Sequence, residues 1–74
     1  MKYEFTITKG DYIELIQLLK VLNFASNGSD AKMLVDDGVV YLNGIQEFRR
    51  RAKVRSGNKI EINPDYEDII ILIK

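Results

Sequence analysis

At Gly38 this 74-residue chain changes hydrophobic period, from the spacing of helices to the alternation of strands. Before that point, Ile13, Leu15, Ile16, Leu18, Leu19 and Leu22 form a broad apolar face at helical spacing. Asp11 and Glu14 stand at N-cap and N3 spacing, which predicts a first helix opening at Asp11. Asn23 suits the left-handed residue that closes it. A loop, Phe24-Ala25-Ser26-Asn27-Gly28, leads to a second helix starting near Asn27 to Asp30 and running to about Asp37. Asn27 and Asp30 again have cap spacing, Ala31, Leu34 and Val35 share one side, and Gly38 ends the helix. Two helices of about three and about two and a half turns, joined by a short loop, make an αα-hairpin.

After Gly38 the signals are those of a sheet. Val39-Val40-Tyr41-Leu42 followed by Asn43-Gly44 predicts a tight hairpin, with Ile45, Gln46, Glu47 and Phe48 on the return strand and the basic stretch continuing it. Ser56-Gly57-Asn58 and Asn63-Pro64-Asp65 read as turns, and Lys59-Ile60-Glu61-Ile62 as a half-exposed strand. Residues 69–73, β-branched apart from Leu72, predict a buried closing strand. As a sheet edge it would invite pairing between chains, blunted by Lys74. Tyr3, Phe5 and Ile7 alternate with Lys2, Glu4 and Thr6 and predict one more short strand, broken at Gly10. The expected fold is α+β in a single domain over residues 1–74, with an αα-hairpin packed on a small, mostly antiparallel sheet.

Composition narrows the chemistry. With no cysteine there is neither a disulfide framework nor a thiolate metal site, and with no histidine the commonest general base near neutral pH is missing. No Ser-His-Asp set, cysteine nucleophile or phosphate-cradling P-loop is present. Asp36-Asp37 and Asp65, Glu67, Asp68 fit no calcium loop and read as solvated acids. A domain this small has little room for a substrate pocket. The expectation is a protein without catalysis, cofactor, metal or small-molecule substrate. The longest apolar run, residues 69–73, is far short of the ~20 residues that span a bilayer, so the expected location is the cytoplasm, away from membranes.

Formal net charge is zero, yet Arg49, Arg50, Arg51, Lys53, Arg55 and Lys59 fall in one window with no acid between Glu47 and Glu61. One reading is a solvated loop. The other is a cationic stripe for a polyanion, since arginine offers a planar fork to phosphate and stacks on bases. Asn27-Gly28-Ser29 likewise is either a helix cap alone or a cap whose N–H groups take a phosphate, with Lys32 one turn on. Phe48 either stacks on a base or fills the core. Tyr3, Phe5, Tyr12, Phe24 and Tyr66 are expected at the core or its edge.

These elements, in this order, resemble the S4 RNA-binding domain over about residues 12–62, most closely the small stand-alone bacterial S4-like proteins. The resemblance is carried by Leu19-Lys20, Gly28-Ser29-Asp30-Ala31-Lys32, Gly38-Val39-Val40 and Leu42-Asn43-Gly44. It continues through Phe48-Arg49-Arg50-Arg51-Ala52-Lys53-Val54 and Gly57-Asn58. Ser29 replaces a Gly of the family pattern, Phe48 a Thr, Arg51 a Gly, Ala52 an Arg and Asn58 an Asp. The resemblance implies an αL RNA-binding motif, with the second helix and the basic strand and loop forming one surface. Arg49, Arg50, Arg51, Lys53 and Lys32 would meet phosphates of a structured RNA, ribosomal or otherwise, and Gly28 and Ser29 would supply backbone donors. Arg55 and Lys20 follow in rank, and the protein is expected to be a monomer. The alternatives are a protein adaptor whose basic face docks on an acidic partner, and a DNA-associated accessory protein.

Overall fold

In chain order the elements of the computed structural model, which describes residues 1–63 and 69–74, are β1 (Lys2–Phe5), β2 (Tyr12–Glu14), α1 (Leu15–Val21), α2 (Gly28–Asp36), β3 (Val40–Leu42), β4 (Ile45–Gln46), β5 (Lys53–Arg55), β6 (Lys59–Ile62) and β7 (Ile69–Ile73). Five strands form one sheet in the order β1-β7-β6-β3-β4, and β2 pairs with β5 in a separate two-stranded ribbon. Among the described strands only β1 and β7 run parallel. The fold is thus α+β with a mostly antiparallel sheet, as the sequence predicts. No described helix is long and apolar enough to cross a membrane. The predicted turn at Asn63-Pro64-Asp65, Tyr66, and the acids Asp65, Glu67 and Asp68 fall wholly or partly outside the described residues.

Register explains the core. Val40 pairs with Ile62, Ile60 with Ile71, and Tyr3 and Phe5 with Ile71 and Ile73, so these side chains share one face of the sheet. The helices cover that face with Leu15, Leu18, Leu19, Ala31 and Val35, all buried. Phe24, in the loop between the helices, meets Tyr3 edge to face at 5.2 Å, which fixes that loop to β1. The 69–73 strand is interior, flanked by β1 and β6, so it offers no edge for pairing between chains; the sheet edges are β1 and β4.

Local signals hold where their chemistry is local. Asn43 (φ 53°) and Gly44 (φ 84°) give the paired positive φ values of a tight hairpin turn. The Asn43 carboxamide oxygen also accepts from the Lys59 N–H at 2.8 Å, stitching the hairpin to β6. Asn23 (φ 64°) closes α1: its N–H donates to the Lys20 carbonyl and the Phe24 N–H to the Leu19 carbonyl, the two bonds of a Schellman motif. Asn27 caps α2, its side chain accepting from the Asp30 N–H at 2.9 Å.

The first helix departs from expectation. Asp11 and Glu14 are not a capping pair, because Tyr12, Ile13 and Glu14 are extended and pair with Arg55, Val54 and Lys53. Glu14 precedes α1 with ψ 143° and makes no side-chain cap. The Leu15 and Ile16 N–H groups donate instead to the carbonyls of Ala52 (2.9 Å) and Arg50 (3.2 Å). The helix is therefore only seven residues long. The return strand is also cut short: β4 ends at Gln46, and residues 49–51 leave the sheet in a turn. The three arginines lie on that turn, not on a strand, because the carbonyls of Arg50 and Ala52 are committed to α1 and that of Arg49 closes the turn onto the Ala52 N–H.

Gly38 is the most crowded joint. Its φ is +75°, its carbonyl accepts from the Gln46 side chain at 2.7 Å, and an added Cβ would lie 2.5 Å from Gln46 Nε2 and 3.3 Å from Phe48 Cε1. Gly10 has φ +72° but open space around it. Gly10→Ala therefore meets only backbone strain, about 1 kcal/mol. Gly38→Ala adds a displaced hydrogen bond, about 1 kcal/mol more. Urea unfolding of the two variants is expected to give that order; equal losses would contradict the crowding at Gly38.

Candidate functional site

Residues 49–52 form a platform whose backbone faces inward and whose charges face out. The Arg50 and Ala52 carbonyls cap α1, the Ala52 side chain is buried, and the Arg49 carbonyl accepts from the Ala52 N–H at 3.2 Å. The Ala52 side chain, 3% exposed, enters the core. The arginine side chains are left to solvent, and Arg49, Arg51, Ala52 and Lys53 line a shallow groove of about 510 Å³.

Each arginine is met by a carboxylate. Glu47, only 12% exposed, accepts from the Arg49 backbone N–H (3.0 Å), Nε (3.1 Å) and Nη2 (3.0 Å). Asp36, at the end of α2, takes the fork of Arg50 at 3.1 and 2.7 Å. Glu14 accepts from Arg51 Nε at 2.9 Å. The window that is free of acids along the chain is therefore not free of them in space: two of the three carboxylates come from far earlier in the sequence. Hydrogen bonds from Arg50 and Arg49 hold the Asp36 and Glu47 carboxyls below the usual carboxylate range, against a smaller opposing effect of desolvation.

The Arg50–Asp36 fork joins the turn to α2. On that helix Gly28, Lys32 and Asp36 are four residues apart and share a stripe. Lys32 is close enough to Asp36 to add to the lowering of its carboxyl. Gly28 and Ser29 start the helix; their N–H groups have no acceptor among the described residues, and the space around Gly28 is open. They lie about 12 Å from the fork, at 1.5 Å per residue. The structure thus gathers Arg49, Arg50, Arg51, Lys53 and Lys32, with Gly28 and Ser29 at the far end of one stripe. Lys20, in the last turn of α1, makes no ion pair among the described residues that joins it to this group.

Two aromatic side chains lie elsewhere than the core. Phe48 is 56% exposed and packs over Gly38. Tyr12, expected at the core or its edge, is 40% exposed on the outer face of the ribbon, where Lys53 and Arg55 lie over its ring. Once Tyr12, Ile13 and Glu14 are extended, their alternation puts Ile13 inward and Tyr12 outward; that period-two signal was overlaid by the helical one. Among the described residues no three acids gather into a metal-binding group; Asp36 serves Arg50 instead.

A family model described as the S4 domain matches residues 5–72. The Escherichia coli (strain K12) "Putative RNA-binding protein YbcJ" is 32% identical over 56 residues, 76% of this chain and 80% of that protein. The Shigella flexneri YbcJ, named only as uncharacterized, matches to the same extent. The solution structure of E. coli YbcJ, titled as revealing an αL motif involved in RNA binding, superposes with a TM-score of 0.65 at 26% identity, covering 93% of this chain and 85% of that one.

The lowered carboxyls carry a pH consequence. Their folded values lie below the unfolded ones, so the stability they contribute is present above the ordinary carboxylate range and is lost as pH falls through the lowered values. Thermal melts between about pH 5 and about pH 2 are expected to fall more steeply for the unaltered protein than for an Asp36→Asn/Glu47→Gln variant. Parallel curves would show that the pairs do not outlast solvation.

Proposed function

This chain belongs to the S4 domain family, and we propose that it binds folded RNA, ribosomal RNA or another stable structure, through phosphate contacts and without catalysing a reaction. The observation that carries this reading is the Arg50–Asp36 fork, which makes one surface of the arginine turn and the Lys32 stripe of α2. In this reading Arg49, Arg50, Arg51 and Lys53 meet phosphates along the groove. Lys32 meets a neighbouring phosphate, and the Gly28 and Ser29 N–H groups receive another at the positive end of the helix. Arg55 and Lys20 extend the positive field.

The carboxylates act as stand-ins for phosphate. A carboxylate and a phosphate both take the arginine fork in two parallel hydrogen bonds. The side chains of Arg49, Arg50 and Arg51 are each about half or more exposed, so solvent screening leaves each pair weak and easily exchanged. The arginines are thereby held in place before the ligand arrives, which lowers the ordering cost of binding. Carboxylate chemistry also favours a second reading, an acidic protein partner that takes the same forks.

The test is a binding titration across salt with a folded RNA. About four phosphate contacts to unpaired nucleotides give a slope of log affinity against log salt near −3, steeper where the contacts fall on duplex. A flat profile would exclude phosphate binding. Replacing Arg49, Arg50 and Arg51 by Gln is expected to weaken RNA binding at least tenfold, about 1.4 kcal/mol. Stability is expected to change little, because these pairs are open to solvent. Recovery of acidic proteins with no RNA enrichment after crosslinking in cells would decide for the adaptor.

A further inference from the structure

The ribbon of β2 and β5 sets an aromatic ring, which phosphate contacts do not use, beside two of the cations. Tyr12, Glu14, Lys53 and Arg55 point outward from it, while Ile13 and Val54 point inward. Lys53 Nζ lies 5.0 Å from the Tyr12 ring centroid and Arg55 Cζ 5.7 Å from it. Tyr12 also walls a second groove of about 220 Å³, with Phe5, Ile7 and Ile13 as its apolar lining and Thr8 and Lys9 as its polar residues. Lys53 and Arg55 do not line this groove, so the ring stands between an apolar recess and a pair of cations. The core does not require a tyrosine here, because Ile13 already fills the inward position on β2.

We propose that Tyr12 and this groove form a stacking site for one unpaired nucleobase of a bound RNA, with the flanking phosphates on Lys53 and Arg55; the proposal rests on the RNA-binding reading above. A nucleotide is amphipathic in the same sense as the site: a flat face that gains by leaving water, beside a charged phosphate. The aromatic ring supplies the platform, Phe5, Ile7 and Ile13 supply the apolar surroundings, and Thr8 and Lys9 supply donors for base edge or sugar. A base stacked on an aromatic ring next to arginine and lysine is the general way proteins hold single strands without reading their sequence. Folded RNA offers such bases in loops and bulges, where they are splayed out of the helix. Duplex regions would lie on the arginine turn, and the stacked base would mark where the duplex ends.

The probes are oligouridylate, whose bases are free of self-stacking, and a blunt RNA duplex of equal length. Tyr12→Leu removes the ring, and Tyr12→Phe keeps it. Tyr12→Leu is expected to weaken oligouridylate binding about tenfold, within the range of one base–aromatic stack, and to leave the duplex within about twofold. Tyr12→Phe should behave as the unaltered protein. In the unaltered protein the Tyr12 ring protons should move upfield as oligouridylate is added, a readout that does not depend on any variant folding. If Tyr12→Leu matches the unaltered protein on both probes while the triple arginine variant loses binding, the stacking site is wrong and RNA binding stands. Equal losses on oligouridylate and duplex would reduce Tyr12 to a support for Lys53 and Arg55, overturning the site. If the unaltered protein binds neither probe, both readings fall. A ring shift produced by polyglutamate and not by oligouridylate would overturn the site in favour of an acidic peptide.

Discussion

Two hydrogen bonds, from the N–H groups of Leu15 and Ile16 to the carbonyls of Ala52 and Arg50, organise the functional half of this molecule. A short helix without a side-chain cap leaves orphan donors at its start, and leaving them buried and unpaired costs about 1–3 kcal/mol each. Here a loop distant in sequence satisfies them. The same bonds turn the loop's backbone inward, so the arginine side chains face solvent. The β2–β5 ladder continues the contact, with Ile13 opposite Val54 beneath the ribbon. Cap, ladder and buried Ala52 together make a rigid base for a set of long, flexible cations.

How much of this is legible in the sequence follows from where each signal is stored. Asn23, Asn27, Asn43 and Gly44 act within a few residues of themselves, and their turns and caps fall where the residue types put them. Asp11 and Glu14 spell a cap just as clearly, but that reading fails because Tyr12, Ile13 and Glu14 find a ladder partner some forty positions later. Strand pairing over that separation leaves no local trace, and it overrides a cap worth about 1 kcal/mol. The site divides the same way. The cationic run is visible in one line of sequence. The carboxylates that hold it are not, because Glu14 and Asp36 reach the arginines only through the fold. Tyr12 is assigned to the core or its edge for the same reason as Glu14 is assigned to a cap: both belong to a strand written in helical spacing.

The balance of charge takes on a different sense in three dimensions. A net charge of zero suggests a surface with no preference, yet two of the three arginine pairs are unequal in their exposure. Glu47 is largely enclosed while its arginine is open, and Arg51 is more exposed than Glu14. In these two pairs the positive partner is the one presented to an incoming anion, whereas Arg50 and Asp36 are exposed alike. Elsewhere Lys59 and Glu61 pair on β6, on the side facing away from the helices, and Glu4 of β1 pairs with Lys74, just past the end of β7.

The parallel pairing of β1 with β7 sets an order of events during synthesis. Lys2–Phe5 precedes every other described strand along the chain, and its neighbour in the sheet is the last of them. Until residues 69–73 emerge, β1 has no ladder to join and β6 has one bare flank. The helical hairpin and the β3–β4 turn rest on contacts close in sequence and can form early, whereas the sheet closes in one late step. A nascent chain halted before that strand would carry Tyr3 and Phe5 uncovered beside a finished arginine turn. Competence to hold a polyanion would then precede completion of the fold, and a ligand present at the exit site would meet the cationic surface first.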